Sequence, residues 1–288
     1  MSLTDRPRLL RWFCVGALLS TFLGGCGVRG PGFPDEQDGP GEHRDVSRVP
    51  DAVPRVEPRS RGGNPQSYVV FGKRYYTLPH SRGFVERGIA SWYGRKFHGN
   101  ATSNGEIYDM YVMTAAHKQL PIPTYLEVTN LENGRHVVVR VNDRGPFHEN
   151  RIIDLSYAAA SRIGMLGKGT ALVEIRAIDP AAPKTPPTRL AKSPTPATQP
   201  AVQAPRASGH SPRIFLQAGA FSDSSNAERL RARLEEGLAS GVRVVPATLA
   251  SGPVHRVQVG PLASVEIADE VSSRMHGLGI TEPLVVID

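Results

Sequence analysis

Residues Val137 to Ser156 read VVVRVNDRGPFHENRIIDLS, and no other stretch limits the possible folds of this chain as strongly. The apolar run Val137-Val138-Val139, with Val141 one step on, has the β-branched content of a strand buried on at least one face. It stops abruptly at Asn142-Asp143-Arg144-Gly145-Pro146. Gly145 and Pro146 are turn formers, so Asn142, Asp143 and Arg144 are expected at a strand end and not in mid-sheet. A second run, Ile152-Ile153, then leads into Asp154-Leu155-Ser156. A carboxylate held at a rigid strand end is well placed for acid or base work. The plainer alternative is that Asp143 caps the turn or pairs with Arg144.

The stretch sits in a unit expected over residues 67–179. Ser67 to Leu78, SYVVFGKRYYTL, places β-branched and aromatic residues around Gly72-Lys73 and reads as a small hairpin or edge strand. Further strands are expected from Val85 to Trp92, Thr124 to Leu131, Arg135 to Val141 and Ala171 to Ile178, with Asn133-Gly134 as a hairpin turn. Helical signals are short. Thr114 reads as the cap of Ala115 to Leu120, ended by Pro121, and Ser156 as the cap of Tyr157 to Ile163, closed by Gly164. Many short strands and little helix argue for a small closed all-β barrel.

The flanks have a different composition, and residues 26–66 and 180–212 hold sixteen of the chain's 25 Pro. From Gly27 to about Gln66 large apolar residues are scarce, so residues 26–66 are expected to be a flexible tether. Residues 180–212, rich in Pro, Ala, Thr and Lys, read as an extended spacer. Residues 213–288 follow a strand–helix–strand–strand–helix–strand order. Ser222 is expected to cap a helix with Ala227, Leu230, Leu234 and Leu238 on one face. Ser264 is expected to cap another with Ile267, Val271, Met275 and Leu278. This is an α+β, ferredoxin-like βαββαβ arrangement.

Arg6, Arg8 and Arg11 precede an apolar run from Trp12 to Leu23 that is too short to span a bilayer. It ends in Leu23-Gly24-Gly25-Cys26, which looks like a bacterial lipobox. Residues 1–25 are therefore expected to be a signal peptide and Cys26 the lipidated first residue. The other cysteine, Cys14, would leave with the signal, so the mature chain would hold no disulfide. No Asp follows Cys26, which favours the outer membrane over the inner one. The formal charge of +7 loses three arginines and one aspartate with the signal, leaving +5. A basic surface suits anionic polymers or membranes, and without a dense Lys/Arg cluster among aromatics no nucleic-acid partner is expected.

Two acids stand in turn-rich loops: Glu106, in Thr102-Ser103-Asn104-Gly105-Glu106, and Asp143. Paired acids across a cleft are the usual equipment for cleaving glycosidic bonds. The nine histidines show no metal-ligand spacing, so no metal or other cofactor is expected. His117 reads equally as a polar contact for substrate or carboxylate and as a buried structural histidine. Trp92 and Tyr93 could stack on sugar rings, although a Trp at a strand end more often joins the core. No nucleophilic serine motif is present. In the last domain Gln217-Ala218-Gly219-Ala220-Phe221 and Val259-Gly260-Pro261 lie at strand ends, and the helix-free face of the sheet is open to an extended polymer.

Gly88-Ile89-Ala90-Ser91-Trp92-Tyr93-Gly94, Thr102 to Glu106, Thr114-Ala115-Ala116-His117, Val141 to Phe147 and Ile153 to Ser156 resemble rare lipoprotein A, a family of septal lytic transglycosylases built on a double-psi β-barrel. Ser103 stands where the family more often has Ala. Residues 213–288 resemble the family's SPOR (sporulation-related) repeat. The resemblance implies an enzyme, a lyase acting on peptidoglycan strands stripped of stem peptides. It makes Asp143 and Glu106 the catalytic acids and sets His117 along the groove. Trp92, Tyr93, Asn142 and Arg144 would contact glycan, as would Gln217 and Phe221 in the repeat. It also implies a lipid anchor in the outer membrane at the division septum and admits divisome proteins as partners. Expansins share the barrel and loosen polysaccharide without cutting it, so a wall-binding lipoprotein is the rival reading.

Overall fold

In the computed structural model Gly39 and residues 44–182, 212–249 and 252–288 are described. Cys26, the apolar N-terminal run and residues 183–211 of the expected spacer lie outside the described residues.

The first pair of strands, β1 (Ser67–Val70) and β2 (Lys73–Tyr76), forms the expected hairpin. Its turn is Phe71-Gly72, both with positive φ, as a tight two-residue hairpin requires. There follow β3 (Val85–Tyr93), β4 (Thr114–His117), β5 (Thr124–Asn130), β6 (His136–Asp143), β7 (Arg151–Ser156), α1 (Tyr157–Arg162) and β8 (Ala171–Ile178). In β6, Val137, Val139 and Val141 are fully buried while Val138 and Arg140 are only partly so, the period-2 mark of a strand with one face on a core. Six strands close in the order β3-β7-β4-β6-β5-β8. The β3–β7 and β4–β6 pairs are parallel and the other four antiparallel. This is the double-psi β-barrel.

Two expectations fail here. Thr114-Ala115-Ala116-His117 is a strand and does not begin a helix from Ala115 to Leu120. Helix propensity is worth only tenths of a kcal/mol per residue, and β4 pairs on both sides. Nor is the expected tether loose as far as Gln66. Residues 44–66 run along the barrel: Val46 enters its core, Ala52 N–H donates to Val138 O, and Ser60 N–H donates to Ile122 O. A segment with little apolar content docks here through backbone hydrogen bonds and ion pairs.

The second sheet has the order β10-β11-β9-β12, from β9 (Ile214–Phe221), β10 (Val242–Leu249), β11 (Gly252–Leu262) and β12 (Leu284–Ile287). With α2 (Ser224–Gly237) and α3 (Val265–Gly277) this is the ferredoxin-like arrangement. The cap of α2 is Asp223 and not Ser222, because the Asp223 carboxylate accepts the Ser225 N–H at 2.7 Å. Ser264 caps α3 as expected, but Ile267 is exposed and the buried face is Val265, Ala268, Val271 and Met275. Barrel residues Ile89 and Leu172 are buried in the same apolar cluster as this domain, and Arg151 pairs with Asp269 of α3 at 3.1 and 2.6 Å.

Ser156 joins β7 to α1: its hydroxyl donates to Val112 O at 2.6 Å and accepts from Ala159 N–H at 3.2 Å. Ser156→Ala loses both bonds in a fully buried position, and urea melts should show a loss of about 1–3 kcal/mol.

Candidate active site

The site is built on an irregularity in β6. Thr114 lies opposite Arg140 and Ala115 opposite Val141, but Ala116 lies opposite Asp143, so Asn142 is an extra residue. Strict alternation would send Asp143 inward after Val139 and Val141. The bulge turns it out beside Asn142, and both reach the loop that carries Glu106.

That loop is tightly tied. Thr102 N–H donates to Glu106 O at 2.8 Å, Gly105 N–H donates to Thr102 O, and the Asn104 carboxamide oxygen accepts Glu106 N–H at 3.1 Å. Gly105 has φ +90°, which a side chain would strain. The loop meets β6 at two points. Asp143 Oδ1 accepts Ser103 N–H at 2.8 Å and Arg144 N–H at 2.7 Å, and Asn142 Nδ2 donates to Glu106 Oε2 at 3.0 Å. The two expected acids therefore both border one loop–strand contact.

Arg140, which the sequence reading passed over, organises their charge. Its guanidinium reaches both Glu106 oxygens at 2.9 Å and both Glu57 oxygens at 3.0 and 3.1 Å. Burial alone would raise the Glu106 carboxyl, but the Asn142 amide and the Arg140 charge overcome it and hold Glu106 below the ordinary carboxylate range. Glu57 is held down to about 2, first by its hydrogen bond from Arg140. Arg140 faces outward between buried Val139 and Val141, and that alternation was its only signal in the sequence.

Several expected contacts are turned elsewhere. His117 is 2% exposed and lines no open groove. Its Nδ1 accepts Gln119 and Leu120 N–H at 3.1 and 3.0 Å, which leaves its proton on Nε2, 3.5 Å from Glu86. Burial pushes this imidazole below its ordinary value, keeping it neutral. Arg144 donates to the carbonyls of Gly63, His117 and Leu120 and to Asn64 Oδ1, so it fastens residues 44–66 to the barrel and offers no free fork to a substrate. Tyr93 is 7% exposed and stacked on Tyr108 at 4.0 Å, and Trp92 packs edge-on to Tyr157 against the core. Neither is an open sugar platform.

Partly exposed rings do stand beside the turn: Tyr68, Tyr75 and Phe147 form a cluster with centroids 5.3–6.2 Å apart. In the second domain Gln217 is partly exposed opposite Gln258, on the face where Arg243 covers Phe215 at 3.6 Å. Phe221 packs toward the helices and not on that face.

Comparison with known proteins agrees across both domains. Residues 85–175 match the lytic transglycolase family model and residues 211–286 the SPOR domain model. The chain is 40% identical over 325 residues to the endolytic peptidoglycan transglycosylase RlpA of Pseudomonas aeruginosa strain UCBPP-PA14, covering 93% of this chain and 92% of that one. It is 40% identical over 263 residues to the protein of the same name from Vibrio cholerae, covering 91% and 92%. The crystal structure of the RlpA SPOR domain from Pseudomonas aeruginosa matches 25% of this chain and 96% of its own, with 27% identity and a TM-score of 0.25.

The folded value of Glu57 lies below its ordinary value of 4.5, so its stabilisation is complete above that pH and lost as pH falls toward 2. Arg140→Gln should shift that loss to higher pH and, with burial then dominant, move the Glu106 titration upward. Carbon-13 NMR of the glutamate carboxyls would read both changes.

Proposed function

The chain belongs to the RlpA family of endolytic peptidoglycan transglycosylases, and from that premise we propose that it cleaves glycan strands lacking stem peptides, leaving 1,6-anhydro-N-acetylmuramic acid ends. The observation that carries this reading is that the bulge in β6 brings Asp143 and the Thr102–Glu106 loop together, Asp143 through Ser103 N–H and the ionised Glu106 through the Asn142 amide.

The chemistry divides between the two acids. Both hydrogen bonds to Asp143 enter Oδ1, which leaves Oδ2 without a partner among these contacts. Asp143 gives a proton to the oxygen bridging N-acetylmuramic acid and N-acetylglucosamine, and the bond from that oxygen to C1 breaks. Positive charge develops on the muramic acid ring, and the Glu106 carboxylate, fixed by Arg140 and Asn142, stabilises it without reorganising. The sugar's own C6 hydroxyl closes on C1 and gives up its proton as the O6–C1 bond forms, balancing the one delivered to the leaving oxygen. An intramolecular nucleophile needs no captured water, and its proximity supplies part of the rate.

Cys26 would carry lipid in the outer membrane. The barrel would then work in the periplasm, and the second domain would hold denuded glycan at the septum beside divisome proteins. Anchoring at both ends raises the local concentration of substrate around the barrel.

The test is mass spectrometry of products released from sacculi by purified mature protein, comparing intact with amidase-denuded material. Peptide-free oligosaccharides with anhydro ends should appear from denuded sacculi, and Asp143→Asn should cut their release about 10²–10⁴-fold. Reducing ends would indicate a hydrolase. Firm pelleting on denuded sacculi with no release would make this a wall-binding protein.

A further inference from the structure

A third carboxylate, Asp154, faces the same side of the barrel and has no part in the scheme above. Ala116 of β4 is opposite Asp143 of β6 on one side and opposite Asp154 of β7 on the other. The two aspartates thus flank one alanine in a single row, roughly 10 Å apart at Cα, or two strand spacings. Asp154 Oδ1 is occupied by the Ser91 hydroxyl at 2.5 Å, from the residue that pairs with it on β3. Its Oδ2 points toward Gly145 in the Asp-Arg-Gly-Pro turn. A Cβ built on Gly145 would stand 3.8 Å from both that oxygen and the Ala116 Cβ. Gly145 has φ +139°, so the turn itself demands glycine, and Asp154 is only partly exposed beside it. Both aspartates also act on one buried ring, adding to the upward push that burial gives the Tyr93 hydroxyl.

We propose that Asp154 is a further catalytic residue: the base that takes the proton from the C6 hydroxyl while Asp143 protonates the leaving oxygen. The inference rests on the transglycosylase reading. Ring closure needs proton transfers in opposite directions at two different atoms, and two carboxylates separated by a small Ala–Gly floor can serve both. The O6–H proton passes to Asp154 Oδ2 as the O6–C1 bond forms. The C1–O bond to the next sugar breaks, and that oxygen leaves with the Asp143 proton. Asp154 then returns its proton to solvent and Asp143 takes one up, so nothing is consumed. Burial raises the Asp154 carboxyl against the Ser91 hydrogen bond and the charges of Lys118, Arg151 and His148, the groups that face it together with Tyr93. A raised carboxylate is a stronger base than an ordinary one.

The full-length mature chain on denuded sacculi tests this. Asp154→Asn should lower release of anhydro products about 10²–10⁴-fold, with pelleting on the same sacculi and thermal melting unchanged. Ser91→Ala removes a bond that lowers the Asp154 titration, so the acid limb of its pH–rate profile should move to higher pH. Release by Asp154→Asn within tenfold of wild type would overturn the inference and leave the transglycosylase intact. No release by wild type would instead sink the transglycosylase reading. If Asp154→Asn does not fold, Ser91→Ala decides: an acid limb identical to wild type assigns Asp154 a structural role only.

Discussion

The parallel pairing of β4 with β6 is the constraint on which the rest of this structure depends. A parallel pair has no hairpin to set its register, so side-chain pattern and neighbouring strands must do so. Here β4 is held on its other edge by antiparallel β7, and Ala115 is matched to Val141 and Leu155 within the core. With that row locked, one surplus residue in β6 can only be absorbed as a bulge at the strand end. The bulge presents Asn142 and Asp143 together, and the Thr102–Glu106 loop docks on them through Ser103 and Glu106.

Charge is then distributed by a few fixed cations. Arg140 is held among two carboxylates, which settles Glu57 and Glu106 as anions and ties the entering segment to the barrel. Arg144, next to the acid, spends its donors on backbone carbonyls. Asp143 consequently has no guanidinium on it among these contacts, only two backbone N–H groups. The candidate site thus sets Glu106, held as a carboxylate by Arg140 and Asn142, near Asp143, whose Oδ2 takes part in none of these bonds.

The second domain repeats a common economy of α+β sheets. Its helices take one face through Leu230, Leu234, Val271 and Met275, while Arg243, Gln258 and Gln217 lie on the other. The Arg151–Asp269 pair, its arginine buried and its aspartate partly exposed, and the apolar contribution of Ile89 and Leu172 join this domain to the barrel.

Local pattern determined much of this protein. The run of valines located β6, Asn-Gly located its hairpin, Ser156 and Ser264 located two helix starts, and the abrupt Asn-Asp-Arg-Gly-Pro turn marked the candidate site. Glu106 and Asp143 stood out as candidates because both lie in turn-rich segments, but only the family resemblance made them a catalytic pair. What the sequence could not show is anything set by partners remote in the chain. Thr114 to His117 became a strand because β6 and β7 claimed both its edges, and residues 44–66 docked because Arg140 and Arg144 awaited them. His117, Arg144 and Tyr93 look available for binding in a linear reading, yet each is consumed by contacts inside the fold. Asp154 gained its place only through register, since Ala116 sets it in line with Asp143. Side-chain period and turn chemistry are written residue by residue, whereas facing, burial and charge environment arise only when distant strands close the barrel.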